Sequence, residues 1–330
     1  MSTEPWPRFT HAERRTMLLP RRRILYVPMP KSGCTSMLWT LSQVAGCAPE
    51  QFHRSVSGQV TPSMTIHDLD RWRDKYKWAE LTGSEQADIA ADPEWLRFTT
   101  VRNPATRLWS AWQSKLLLRE PDYAAAYGTE RWFPRRPDDA LELVDAFRTF
   151  VHALNVEPDV RPSDAHWAPQ TRVLDTAPPL THIGRIENID ETVDLLRLHI
   201  GGRAASRVRV ARENGGLLPY SPALYDAETA QIVNDVFAED LDRFGYPPLE
   251  PDPEASLDDW TAAVEPMLPL LRGHIDRHER LAVLLRVARR RTRSASAPEY
   301  RASTENPIPT GSDDPNDEGA LSTHAVHQRV

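Results

Sequence analysis

The sequence predicts an α/β protein with a central parallel sheet and helices on both of its faces. Three observations predict it. Short apolar runs at residues 24–27, 97–101 and 180–183 have the length and composition of buried strands. Each run is followed by a stretch with apolar residues at helical spacing. The alternation extends over much of a 330-residue chain, long enough for one large domain or two.

Taken in order, residues 1–20 read as an irregular arm, and Arg21, Arg22 and Arg23 lead into the first strand. Pro28 and Pro30 end that strand, and a helix from about Thr35 carries Met37, Leu38, Leu41 and Val44 on one face, with Gly46 as its stop. Residues 48–93 are mixed, with short helices expected at 69–81 and 84–91. The second strand runs into Asn103-Pro104, a capping residue followed by a first-turn proline. The helix it opens places Leu108, Ala111, Trp112 and Leu116 on its buried face. Residues 119–137, rich in aromatics and prolines, read as a loop or lid, and 138–153 as a helix striped by Leu141, Val144, Phe147 and Val151. The third strand turns at Gly184, and helices follow at 189–198, 222–237 and 239–244.

After Pro248 the composition shifts. Helices are expected in 249–292, and the Ser-, Thr-, Pro- and Asp-rich residues 293–330 are expected to be a disordered tail. The organisation is thus an arm (1–20), a main domain (21–248), a helical extension (249–292) and the tail (293–330).

Composition narrows the function classes. Apolar residues make up 40% and charged residues 26%, as in a globular protein with a real core. A net charge of −7 argues against a general nucleic-acid binder. No run approaches the ~18 apolar residues of a membrane span, and the first 23 residues lack the apolar stretch of a signal peptide. Cys34 and Cys47 are the only cysteines, which excludes a disulfide scaffold and a four-thiolate metal site. A cytoplasmic location is the expectation. Only Lys31, Lys75, Lys77 and Lys115 among the 40 basic residues are lysines, which suggests a high-GC, bacterial genome and draws attention to each of the four. The arginines at 286, 289–291 and 293 read as a solvated helix end, with a peripheral contact to an anionic membrane or polyanion as the alternative.

Two segments can carry chemistry. The first is Pro30-Lys31-Ser32-Gly33-Cys34-Thr35-Ser36, a strand-to-helix loop. Gly33 permits a tight turn, the helix-start amides and the hydroxyls of Ser32, Thr35 and Ser36 suit a phosphate, and Lys31 adds a compact charge. It is not a Walker A loop, whose glycine and lysine spacing is absent. Without a second segment, an ordinary β–α turn with capping serines is the favoured reading. The second segment runs from Arg102, at a strand's carboxyl end, to Ser110, eight positions on. A guanidinium fork beside a hydroxyl suits a second phosphate.

Together these segments resemble the 5′-phosphosulfate and 3′-phosphate motifs of sulfotransferases. The blocks His166-Trp167-Ala168-Pro169-Gln170 and Ile183-Gly184-Arg185-Ile186-Glu187-Asn188 are similar to those of the carbohydrate sulfotransferases of the chondroitin and HNK-1 type (sulfotransferase family 2), and so is the segment from Leu218-Pro219-Tyr220 to Tyr246. The resemblance covers about residues 24–247. It departs at Asn103, where the family has an acidic residue, and in lacking the membrane anchor and cysteine pairs of the animal enzymes. It implies a P-loop-like three-layer fold and a donor, 3′-phosphoadenosine 5′-phosphosulfate (PAPS), with 3′,5′-ADP (PAP) as product and no metal. The donor seat it implies is Lys31, Ser32, Gly33, Cys34, Thr35, Ser36, Arg102 and Ser110, with Arg212 in a late loop.

The implied acceptor is a hydroxyl of a carbohydrate or of a glycosylated or hydroxylated small molecule. The general base is expected at His67, in a segment similar to the family's His-bearing one, with His53 second, His166 as base or scaffold, and Glu80 and Glu85 as further alternatives. Arg185 and Glu187 either orient the acceptor or lock the fold. Tyr127 and Trp132, with Tyr123 and Phe133, either stack on the acceptor or form a small core under the loop. A small-molecule kinase and a catalytically inactive nucleotide-binding protein are the competing readings. Oligomeric state is not legible in the sequence.

Overall fold

The computed structural model describes residues 6–52, 62–72, 76–156, 162–211 and 215–295. The chain divides into two units, Met1–Leu285 and Arg286–Val330. In the second, residues 286–295 are helical.

In chain order the elements are α1 (His11–Arg15), β1 (Met17–Leu19), β2 (Ile24–Val27), α2 (Cys34–Ala45), β3 (Tyr76–Lys77), α3 (Gly83–Ala91), β4 (Leu96–Val101), α4 (Pro104–Ala111), α5 (Pro121–Tyr127) and α6 (Ala140–Ala153). There follow α7 (Gln170–Leu174), β5 (His182–Arg185), α8 (Ile189–Ile200), α9 (Gly202–Ala205), α10 (Ala227–Val236), α11 (Ala238–Phe244), α12 (Leu257–Val264) and α13 (Leu268–Ala295). Among the described residues the strands form one sheet in the order β3-β1-β2-β4-β5. β2, β4 and β5 are parallel, with Val27 opposite Thr99 and Val101 opposite Arg185.

Both sheet faces are covered, as the near-continuous apolar strands require. Ile24, Tyr26 and Phe98 pack with Leu38 and Leu41 of α2 and Val193 and Leu196 of α8. Leu25, Val27 and Val101 pack with Val173 and Leu174 of α7 and Phe244 of α11. A third cluster joins α4, α6 and α12, where Trp109 stacks on Trp112 at 5.3 Å and meets Phe147 edge-on at 5.0 Å. This is the expected α/β architecture with additional C-terminal helices.

Several local expectations change. The sheet is mixed rather than wholly parallel, because β1 pairs antiparallel with β2 and β3 with β1. Residues 6–20 are therefore not an irregular arm: Met17, Leu18 and Leu19 are all buried strand. The extension beyond residue 248 is not separate either, since Trp260, Val264, Leu268, Leu271 and Ile275 complete the third cluster. The third strand starts two positions later than expected, at His182. On α6 Leu141 is 55% exposed, and Leu143 takes its place in the core. Trp132 and Phe133 are buried against α6 rather than standing in a lid. Residues 69–71 and 78–80 are single 3₁₀ turns, whereas α3 forms with a Thr82–Glu85 capping box. The expected tail beyond residue 295 lies outside the described residues.

Candidate active site

Because β2, β4 and β5 run parallel, the loops leaving their carboxyl ends open on one edge of the sheet. They line a cleft of about 1160 Å³.

The loop after β2 is set by two left-handed residues, Lys31 (φ 65°) and Gly33 (φ 76°). The left-handed conformation at Gly33 favours glycine, and a Cβ there would stand 2.3 Å from Ile186 Cδ1 and push that side chain aside. The opening turn of α2, Cys34, Thr35 and Ser36, lines the cleft. Amides at a helix start are not used by the helix's own ladder and favour an anion. Lys31 Nζ donates to Ser114 Oγ at 2.8 Å. Burial, with the neighbouring charges of Lys115 and Arg102, lowers its pKa to about 8, so it is still mainly an ammonium at pH 7.

The underside of this loop is fastened by groups that face away from the cleft. Ser32 is fully buried and donates to Gln170 Oε1 at 2.9 Å, so it is a strut and not the phosphate ligand expected of it. Gln170 also accepts from Arg102 N at 2.9 Å and donates to Arg102 O at 2.8 Å, tying the two loops together. Asp240 caps α7 by accepting from the amides of Gln170 and Thr171. Arg107 is 1% exposed and gives its guanidinium to the carbonyls of Pro30 (2.9 Å), Ala168 (2.7 Å) and Ala165 (2.7 Å). Arg107→Ala would strand three carbonyls beside a cavity, a cost of about 3–5 kcal/mol. Urea unfolding should show that loss, and Arg107→Lys should not recover it, because an ammonium cannot reproduce the fork.

After β4, the Asn103 side chain accepts from Ala105 N and Thr106 N and starts α4, as its sequence signature predicts. Arg102 lines the cleft, with Nε on Thr106 Oγ1 (3.0 Å) and Nη1 on the Lys31 carbonyl (3.4 Å). Ser110, half-buried on the same wall, has no protein hydrogen-bond partner among the described residues. α4 then passes into a π-helical turn, Trp112–Leu117. That turn carries Ser114 and Lys115 to the cleft side, where Lys115 pairs with Glu120 and lies 5.0 Å from the Tyr123 ring centre.

Opposite stands a histidine with an acidic partner. His166 Nδ1 lies 2.6 Å from Asp164 Oδ1 and 2.7 Å from the Tyr123 hydroxyl. A carboxylate only accepts, so the proton sits on His166 Nδ1, which donates to Asp164 Oδ1, and Nε2 carries the lone pair. Burial and the charges of Lys115 and Lys31 hold His166 well below the usual imidazole range, which keeps the ring neutral with the Nε2 lone pair unprotonated. His67 also lines the cleft, but its Nε2 is engaged with Thr35 Oγ1 at 2.9 Å. Its pKa is lowered to about 4 by burial and by the charges of Arg15 and Lys115.

The structure thus brings Lys31, Gly33, Cys34, Thr35, Ser36, Arg102, Ser110, His67, His166, Tyr127 and Glu187 to one cleft. Both Glu187 oxygens are engaged, on Asn103 N (2.8 Å) and the Tyr246 hydroxyl (2.9 Å). Arg185, expected to orient the acceptor or lock the fold, does the latter: it donates to the carbonyls of Phe244 and Gly245 and stacks on Tyr246. Trp132, expected at the acceptor, is buried off the cleft, with 9% exposure. His53 and Arg212 lie outside the described residues. Sequence reasoning missed Asp164 and Arg15. The scarcity of lysine was the signal for Lys115, and an Asp two positions before a His was the signal for the dyad. Among the described residues no helix is long and apolar enough to cross a membrane, and no group of three or more His, Cys, Asp or Glu is placed to hold a metal.

Comparisons with curated proteins and with solved structures returned no match. A family model described as "Sulfotransferase family" matches residues 14–247, which include the β2 and β4 loops, the His166 segment and the end of β5. On that match the chain belongs to the sulfotransferase family.

Proposed function

We propose that the protein transfers a sulfuryl group from PAPS to a hydroxyl of a carbohydrate, or of a glycosylated or hydroxylated small molecule. One observation carries this reading: a single cleft holds two separate electropositive seats, Lys31 with the opening turn of α2 and Arg102 with the unpartnered Ser110 hydroxyl. A donor with anionic groups at both ends of an adenosine matches such a pair, and the family match supports the same chemistry.

In this reading the α2 amides and Lys31 hold the 5′-phosphosulfate, and Arg102 and Ser110 hold the 3′-phosphate. Lys31 neutralises the charge that grows on the departing phosphate oxygen. His166 Nε2 takes the acceptor's proton, with Asp164 fixing its tautomer and stabilising the imidazolium. The sulfur–oxygen bond to the phosphate breaks as one to the acceptor oxygen forms, leaving 3′,5′-ADP. His67, bonded to Thr35, positions the donor loop rather than taking the proton. A bacterial, cytoplasmic setting belongs to the same reading and rests on composition.

A thermal-shift titration with 3′,5′-ADP, 5′-AMP and ADP tests it. Only 3′,5′-ADP should stabilise strongly, by about 2.7 kcal/mol at a hundredfold excess over its dissociation constant. Arg102→Ala should remove most of that shift. Equal stabilisation by ADP would overturn the assignment and favour a kinase.

A further inference from the structure

α13 begins as a core helix, with Leu268, Leu271 and Ile275 buried in the third cluster. His278 Nδ1 lies 2.6 Å from the Leu118 carbonyl, and Glu279 pairs with Arg119 at 3.1 Å. Past Ile275 none of its described side chains is buried, although residues 281–287 include Leu281, Val283, Leu284, Leu285 and Val287. Leu284 is 65% exposed, Val283 53% and Val287 44%. A single exposed leucine is ordinary on a protein surface, but a run of large apolar side chains at one helix end marks a contact surface.

The same stretch is strongly basic. From Arg280 to Pro298 the sequence holds six arginines and no acidic residue, in a chain of net charge −7. The two residue types are sorted along the helix. Leu281, Leu284, Leu285 and Ala288 stand at i, i+3, i+4 and i+7, which makes a single stripe. Arg286, Arg289, Arg290 and Arg293 repeat that spacing five positions later, about 140° round the helix axis. Reading the arginines as a solvated helix end leaves the leucine stripe unexplained. A helix with both stripes suits a membrane surface, its leucines entering the acyl boundary and its arginines reaching the phosphates.

We infer that the end of α13 docks the protein on an anionic phospholipid surface and lies along it without crossing. Charge complementarity selects this partner. Guanidinium groups meet phosphate oxygens with paired hydrogen bonds. A soluble polyanion such as nucleic acid would engage the arginines and leave the leucine stripe in water. A second copy of the helix would cover the leucines only by bringing two sets of like charges together. A lipid surface takes both stripes at once. None of these residues lines the donor cleft, so the inference stands apart from the transferase reading.

Co-sedimentation of the full chain with sucrose-loaded vesicles tests this. One set is phosphatidylcholine alone, and the other contains about one-third phosphatidylglycerol. Wild type should bind the anionic vesicles at least about tenfold more tightly than the neutral ones, and high salt should weaken that binding. An arginine near such a surface is worth about fivefold in affinity, so R289Q/R290Q/R293Q should lose about 10²-fold. L284D, at an exposed position, should lose at least about tenfold while its melting curve matches wild type. The wild-type comparison carries the test even if a variant folds poorly. Equal binding to both vesicle types, or binding to neither, overturns the inference. So does undiminished vesicle binding by L284D, which would leave a purely electrostatic contact, or equally tight binding to a DNA duplex. Lipid-free dimerisation in light scattering that L284D abolishes would assign the stripe to a second copy and overturn it as well.

Discussion

Replacing Lys31 with alanine is expected to lower kcat by about 10²–10³-fold, the range seen when one preorganised charge-stabilising donor is removed. The ammonium reaches Ser114 at 2.8 Å and sits in the loop before α2, where in the proposed reaction the leaving phosphate oxygen would gain charge. Fold and loop shape should survive. Alanine inherits the same left-handed backbone that lysine already adopts, with φ at 65°, and Arg107 still clamps the Pro30 carbonyl. Single-turnover kinetics with the donor saturating, beside a melting curve, separates loss of chemistry from loss of fold. A Lys31→Ala enzyme with wild-type kcat would remove the lysine from the transfer step. The same charge sets an alkaline limit. Because its pKa is about 8, the ammonium disappears as pH rises through that value, and affinity for 3′,5′-ADP should fall above it.

His166→Ala should cost about 10²–10⁴-fold in kcat, the usual contribution of a positioned general base. His67→Ala should instead raise the KM for the donor, because that ring is bonded to Thr35 of the donor loop. This split distinguishes the two histidines. The pH profile gives a further readout. A base is lost when it protonates, and burial holds His166 well below the imidazole range, so the acid limb of kcat/KM should fall well below pH 6.5. An acid limb that vanishes in His67→Ala and persists in His166→Ala would move the base to His67.

Much of this architecture was legible because local chemistry decided it. Asn103-Pro104 opens α4 in the expected way, and Gly46, left-handed at φ 69°, ends α2. The two donor segments were visible for a similar reason: each is a contiguous run whose residue types suit a phosphate. The groups that support them were not. Arg107, Gln170 and Asp240 act across 58 to 138 positions of sequence, and nothing local marks an arginine in a helix as a clamp on distant carbonyls. β1 was obscured by its length, since three residues at the sheet's antiparallel side give no periodicity to read. The π turn after α4 was invisible because Trp112 and Leu116 remain buried as an uninterrupted α-helix would have them. His166 was seen as a candidate, but its standing depends on Asp164 and Tyr123, and Tyr123 comes from a different element.

Gln170 gives the site a property that no single seat possesses. One buried amide side chain touches Ser32 under the first loop and both backbone polar groups of Arg102 on the second. It therefore works as a calliper, holding the separation between the two anion seats nearly constant. A ligand whose charged ends match that separation pays the cost of association once and is held twice, so its second contact forms at high effective concentration. Shortening the ligand by one phosphate then forfeits the chelate as well as the contact. On the proposed donor assignment, the expected discrimination between 3′,5′-ADP and 5′-AMP would thus be a measurement of length as much as of charge.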